Sequence, residues 1–261
     1  MIHGTDGLAI GFGSVVGFIL GLVGGGGSIL AVPFLVYGVG VASPHVAIGT
    51  GTVAVAVSAF ANLFPHWRSG RVKWRCGAVF AAAGVLGALA GSELAKAVDG
   101  ERLLMLFGAL MVAVGFVMLR RRGAAGDPDI RLQASTAWRL LPRLIAAGFG
   151  VGALSGFFGI GGGFLIVPGL MLATGMPLPF AIGTSLVAVS AFGAATASSY
   201  AASGLVDWRL ALVFILGGLA GGLGGAAIGG KLANRKALLG RIFAGVVITV
   251  GLYVLLRGFL A

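Results

Sequence analysis

Residues 21–33 read GLVGGGGSILAVP and residues 156–168 read GFFGIGGGFLIVP. A glycine cluster, a short apolar run and a Val-Pro pair recur in register at an offset of 135. Working outward, Ala47-Ile48-Gly49-Thr50 returns as Ala181-Ile182-Gly183-Thr184 at an offset of 134. The same offset of 134 pairs Ser69-Gly70 with Ser203-Gly204 and Trp74-Arg75 with Trp208-Arg209. Towards the end of each half, Phe107 matches Phe243 and Gly115 matches Gly251. Single-residue insertions account for the drift. Matches spread over a whole half do not arise from composition, so the chain reads as two copies of one duplicated unit.

What surrounds these motifs sets the class. Of 261 residues, 58% are hydrophobic and 10% charged, against about 25% charged in ordinary soluble domains. The apolar residues run together: 76–92 and 103–119 hold no charge at all. Runs of roughly 17–25 apolar residues match an α-helix crossing a bilayer, whereas a β-barrel would show alternating strands of about 10 residues. Segments are expected at about 8–23, 28–41, 46–65, 76–95 and 102–119. Their counterparts are expected at about 143–158, 163–175, 180–201, 208–230 and 238–256. The units then span 1–120 and 140–261, joined by a polar linker at 121–139 carrying Gly, Asp and Pro turn residues. The 49 glycines fit close helix crossings in a membrane. A lone cysteine, Cys76, excludes an intrachain disulfide and a cysteine metal cluster. The first residues lack the basic region of a cleavable signal, so the first apolar stretch is expected to stay in place.

The net charge of +11 does not point to nucleic acid. Of 18 Lys and Arg, 14 fall in three places: 66–75, 120–143 and 231–241. Cytoplasmic loops of membrane proteins collect such residues. Placing all three regions in the cytoplasm puts both termini outside and requires an odd number of crossings per half. The fold expected is therefore an all-α polytopic membrane protein of two homologous, inverted repeats. Each repeat holds about five membrane-embedded segments, two of them forming a Gly-broken pair.

Gly24, Gly25, Gly26, Gly27 and Ser28 interrupt apolar helix at the place where Gly159, Gly161, Gly162 and Gly163 interrupt it in the second half. Irregular backbone at membrane depth is tolerated only when buried in protein or lining a wet cavity, and paired breaks of this kind mark transporter binding sites. The half-helix that follows would aim its positive N-terminal end at an anion. A simple kink or close crossing is the other use of such glycines. The phosphate-loop reading fails, because no Gly-Lys-Ser/Thr ending is present. Thr50, Thr52, Thr184 and Ser185 open the third segment of each half, where hydroxyls could donate to an oxyanion. Helix capping or back-bonding is their ordinary use.

No Arg, Lys, Asp or Glu falls in the middle of a segment; Glu93 and Lys96 lie near an end. An anion site would thus rest on backbone dipoles and hydroxyls. His45 and His66 face Phe180 and Tyr200 in the other repeat, which argues against a symmetric role for them and for interfacial positions. Asn62, matched by Thr196, suits a polar contact between helices, and Trp74 and Trp208 suit interfacial anchors. No catalytic grouping, metal-ligand spacing or cofactor motif stands out, so an enzyme is not expected.

The GGGG/GIGGG break, the Val-Pro after it, the Ala-Ile-Gly-Thr element and the Ser-Gly-x-Val-x-Trp stretches (69–74 and 203–208) resemble the sulfite exporter TauE/SafE family. The resemblance covers nearly the whole chain and implies a multi-pass protein of the bacterial inner membrane. It implies transport of sulfite, an organosulfonate or a related small anion, driven by an ion gradient of H+ or Na+. The Gly breaks and the Ala-Ile-Gly-Thr threonines are the positions it marks. A small-anion channel is the alternative. Expected partners are the small anion, the lipid bilayer and a coupling ion. Nothing in the sequence sets an oligomeric state.

Overall fold

The computed structural model describes residues 4–23, 25–120, 127, 130, 132–159, 161, 163–231 and 236–260. Among the described residues, ten helical elements follow one another and there is no strand. The first half holds α1 (Gly4–Val23), α2, α3 (Pro44–Arg68), α4 (Trp74–Lys96) and α5 (Gly100–Arg120). Here α2 is composite: a 3₁₀ turn over Gly25–Leu30, an α turn over Ala31–Pro33 and a π turn over Phe34–Val39. The second half holds α6 (Ala134–Phe158), α7 (Gly163–Thr174), α8 (Leu178–Ala202), α9 (Trp208–Lys231) and α10 (Lys236–Leu260). Seven of these helices are long and apolar enough to cross a membrane. The lipid-facing surface suits them: Phe60 is 70% exposed and Leu86 and Leu216 are each 64% exposed.

The expected segments and the observed helices agree to within a few residues, with one exception. Helix α6 begins at Ala134 rather than near 143, because Gln133 and Thr136 form a reciprocal capping box that starts it early. Arg139, Pro142 and Arg143 then occupy its first turns, so hydropathy alone misses them.

Glycine decides how the helices pair. Down α1, a side chain at Gly13, Gly17 or Gly21 would run into the backbone of Phe214, Gly218 or Gly222 on α9. Down α6, the matching positions Gly148, Gly152 and Gly156 meet Phe80, Gly84 and Ala88 on α4. Both pairs run parallel, and both need the absence of Cβ for the backbones to approach. The first helix of each half therefore packs against the fourth helix of the other. Asn62 of α3 wedges into the first crossing, against Gly21 and Gly222, with its amide donating to the Ser58 carbonyl at 2.8 Å.

The long central helices α3 and α8 pack against each other and run antiparallel. Gly49 near the start of α3 lies against Leu205 beyond the end of α8, and Gly183 near the start of α8 lies against Arg71 beyond the end of α3. Helices α5 and α10 are antiparallel also, since Gly115 meets Ala244 and Ile248 while Met105 meets Gly258. Both α3 and α8 stop in the same turn. Gly70 (φ 67°) and Gly204 (φ 70°) take the left-handed conformation. The next N–H, of Arg71 or Leu205, then donates back to the His66 or Tyr200 carbonyl at 3.1 or 2.9 Å.

Candidate substrate-translocation site

The two Gly breaks lie in the interior, beside the α3–α8 pair. The opening turn of α2 packs against α1, α7 and α8. Gly27 sits so close to α1 that a side chain there would meet the Leu20 amide and the Val16 carbonyl. Helix α7 has 12 residues, about 18 Å at roughly 1.5 Å per residue. That is too short to cross a hydrocarbon layer of about 30 Å, so one of its ends lies at membrane depth.

The second break is built from two left-handed glycines. Gly159 (φ 61°) caps α6, and Gly161 (φ 63°) follows just before α7 starts at Gly163. Residues with a Cβ take such φ values at a cost. Space forbids one as well: at Gly159 it would collide with Ile48, and at Gly161 it would sit 2.9 Å from Val55 and 3.6 Å from Val189. Val55 of α3 and Val189 of α8 occupy matching places in the two halves and are both buried. The break thus faces the line where the central helices meet.

The hydroxyls expected at the site are all fully buried, and each is engaged by backbone. Thr52 Oγ1 lies 2.5 Å from the Ile48 carbonyl and 3.0 Å from the Gly159 carbonyl, which ties α3 to the second break. Ser185 Oγ donates to the Ile182 carbonyl at 2.7 Å. Thr50 and Thr184 do matching work. Thr50 Oγ1 accepts from the Asp207 N–H at 3.0 Å, and Thr184 Oγ1 accepts from the Lys73 N–H at 2.9 Å. The Ala-Ile-Gly-Thr element of each half is therefore clasped by the Ser-Gly-x-Val-x-Trp loop of the other. Ser28 is fully buried in the first break, and Gly163 is buried at the start of α7. Gly25 and Gly26 open α2. Gly24 and Gly162 lie outside the described residues.

Outside this centre, His45 Nε2 is 3.2 Å from the Val98 carbonyl at one end of the bundle. His66 is 7% exposed near the other end. Trp74 and Trp208, 44% and 59% exposed, stand at the first positions of α4 and α9, as interfacial anchors do. A cavity of about 490 Å³ opens beside Gly70–Cys76 and the start of α6, lined by Lys73, Trp74, Arg75 and Gln133. Among the described residues no group of His, Cys, Asp and Glu could hold a metal ion. Sequence reasoning missed the cross-half clasp and a polar cluster at the ends of α4 and α8. Both motifs of the clasp repeat at one offset, which was the available signal of a shared role.

Known proteins bear on this arrangement. The family described as sulfite exporter TauE/SafE matches residues 9–254. A "Probable membrane transporter protein" of Xylella fastidiosa strain 9a5c is 50% identical over 250 residues, covering 96% of this chain and 95% of its own. The Bacillus subtilis "Probable membrane transporter protein YunE" is 28% identical over 270 residues, with 94% and 96% covered. A second Bacillus subtilis protein, "Probable membrane transporter protein YdhB", is 23% identical over 228 residues, with 84% and 87% covered. No solved structure matches the chain.

Proposed function

This chain belongs to the sulfite exporter TauE/SafE family, and we propose that it is a secondary transporter that exports a small oxyanion across a bacterial inner membrane. The substrate class is sulfite or an organosulfonate. One observation carries the reading: two Gly-broken short helices, one from each half, meet beside a pair of antiparallel central helices. Inverted-repeat transporters bind substrate at such a junction near the bilayer midplane. The units, 1–120 and 140–261, are then inverted repeats joined by a cytoplasmic linker at 121–139, in keeping with the antiparallel pairings α3–α8 and α5–α10.

The anion is held by backbone N–H groups at the starts of α2 and α7, with Gly25–Ser28, Gly159, Gly161 and Gly163 shaping the walls. A helix N-terminus offers about half a positive charge, worth roughly 0.3–2 kcal/mol to an anion. Two such ends give a weak site that releases what it binds, as turnover requires. Thr52 and Ser185 border the site, and Thr50 and Thr184 hold it by clasping the opposite half. Rocking of one half against the other exposes the site to each side in turn, driven by H+ or Na+.

A channel would use the same dipoles, but the burial of Ser28, Thr52, Val55 and Val189 favours a closed centre. Counterflow in proteoliposomes separates the two. A transporter accumulates labelled sulfite against its gradient when the other side holds unlabelled sulfite, and a channel does not. Gly26→Leu and Gly161→Leu are expected to abolish that exchange in protein that still inserts. Undiminished exchange in both variants would place the site elsewhere.

A further inference from the structure

The ends of α4 and α8 are joined by a polar cluster whose charged residues are not repeated in the sequence of the other half. Lys96 Nζ lies 2.7 Å from Glu93 Oε1 and donates to Ser203 Oγ at 2.9 Å. Ser199 Oγ donates to the same Glu93 oxygen at 2.9 Å, and Ser92 Oγ donates to Ser199 Oγ at 3.0 Å. Glu93, Lys96 and Ser92 belong to the first half, Ser199 and Ser203 to the second, so the Lys96–Ser203, Ser199–Glu93 and Ser92–Ser199 bonds cross between halves.

The duplicated offset of 134 shows what the opposite end of the bundle has instead. Ser92, Glu93 and Lys96 correspond to Ala226, Ala227 and Gly230, and Ser199 and Ser203 correspond to Pro65 and Ser69. Those residues lack the Glu–Lys pair, although Ser69 and Ser203 share a bond to their own helices: Ser69 Oγ donates to the Pro65 carbonyl at 2.8 Å and Ser203 Oγ to the Ser199 carbonyl at 3.1 Å. The opposite end is also the one where the 490 Å³ cavity opens, beside Gly70–Cys76. The two ends of an otherwise duplicated molecule therefore carry different residues at matching positions.

We infer that Glu93, Lys96, Ser199 and Ser203 form a one-sided latch that holds the Glu93 end of the transporter closed in its resting state. The inference rests on the alternating-access reading given above. Its strength suits the role. The Glu93 side chain is 65% exposed, and exposed ion pairs are individually weak. Such a latch biases two conformations without locking either, and it can open in every cycle.

Cysteine accessibility tests this without any substrate. Cys76, the chain's only cysteine, is itself buried and is removed as Cys76→Ser. Ala47, fully buried on α3 at the latch end, supplies the reporter as Ala47→Cys in that background. In purified protein, Lys96→Gln and Ser203→Ala are each expected to raise maleimide labelling at position 47 about two- to fivefold. The exchanged pair Glu93→Lys/Lys96→Glu reverses donor and acceptor in each bond, which serine hydroxyls can follow, and is expected to restore the original rates. Unchanged labelling at position 47 in both single variants would overturn the latch, as would failure of the exchanged pair to restore it. Should labelling shift as expected in protein that moves no oxyanion, the substrate reading fails and the latch stands.

Discussion

Thr50 and Thr184 show how much one hydroxyl can hold in a membrane interior. Each accepts an N–H from a loop of the opposite half, and each is fully buried. A buried donor left without its acceptor costs about 1–3 kcal/mol. Thr50→Val and Thr184→Val are therefore each expected to lower stability by about that amount, read as a fall in thermal midpoint in detergent. The two clasps share no partner, so the double variant should lose roughly the sum. A loss confined to one variant would mean that the halves are not clasped equivalently. Both threonines were legible as a repeated motif, but their partners were not. Asp207 and Lys73 stand 157 and 111 residues away in the chain, and no local pattern encodes a contact at that range. Gly159 and Gly161 were legible as a break; their left-handed φ values and the valines around them were not.

Helix boundaries follow from hydropathy where apolar runs meet polar loops, which is why nine of the ten elements could be placed from sequence. Only the start of helix α6 escaped, because its first turns are basic and that start is set by a capping box. The irregular winding of α2, from 3₁₀ through α to π, also has no simple sequence signature. Helix pairing is where glycine carries the information. Gly17→Leu would drive a side chain into the Gly218 carbonyl, whereas a Cβ added at Gly11 would meet nothing within 4 Å. Gly17→Leu is expected to leave little folded protein in detergent extracts, and Gly11→Leu to match the parent. Equal yields from the two would show that the α1–α9 crossing does not depend on close backbone approach.

At the scale of the molecule, charge and chain direction point the same way. Asp6 of α1 pairs with Arg209 of α9 at 2.7 Å, and Tyr37 at the end of α2 meets Tyr253 near the end of α10. The start of α1 and the end of α10 thus lie at the Glu93 end, away from the basic loop at 68–75. By the positive-inside tendency that end is expected to face out of the cytoplasm. Alkaline phosphatase fused after the last helix is expected to be active in whole cells, and fused within 121–126 to be inactive. The reverse pattern would invert the direction assigned to the latch.

The exchange of partners between halves also bears on how the protein is made. Helix α1 is synthesised first, yet the glycine face that it offers is covered by α9, which begins at Trp208. At roughly 5–20 residues per second, some 10–40 s of translation separate the two helices. Through that interval α1 waits in lipid with its docking stripe bare. Its survival depends on whatever shields a nascent helix beside the ribosome, so insertion and quality control bear on this protein well before transport does.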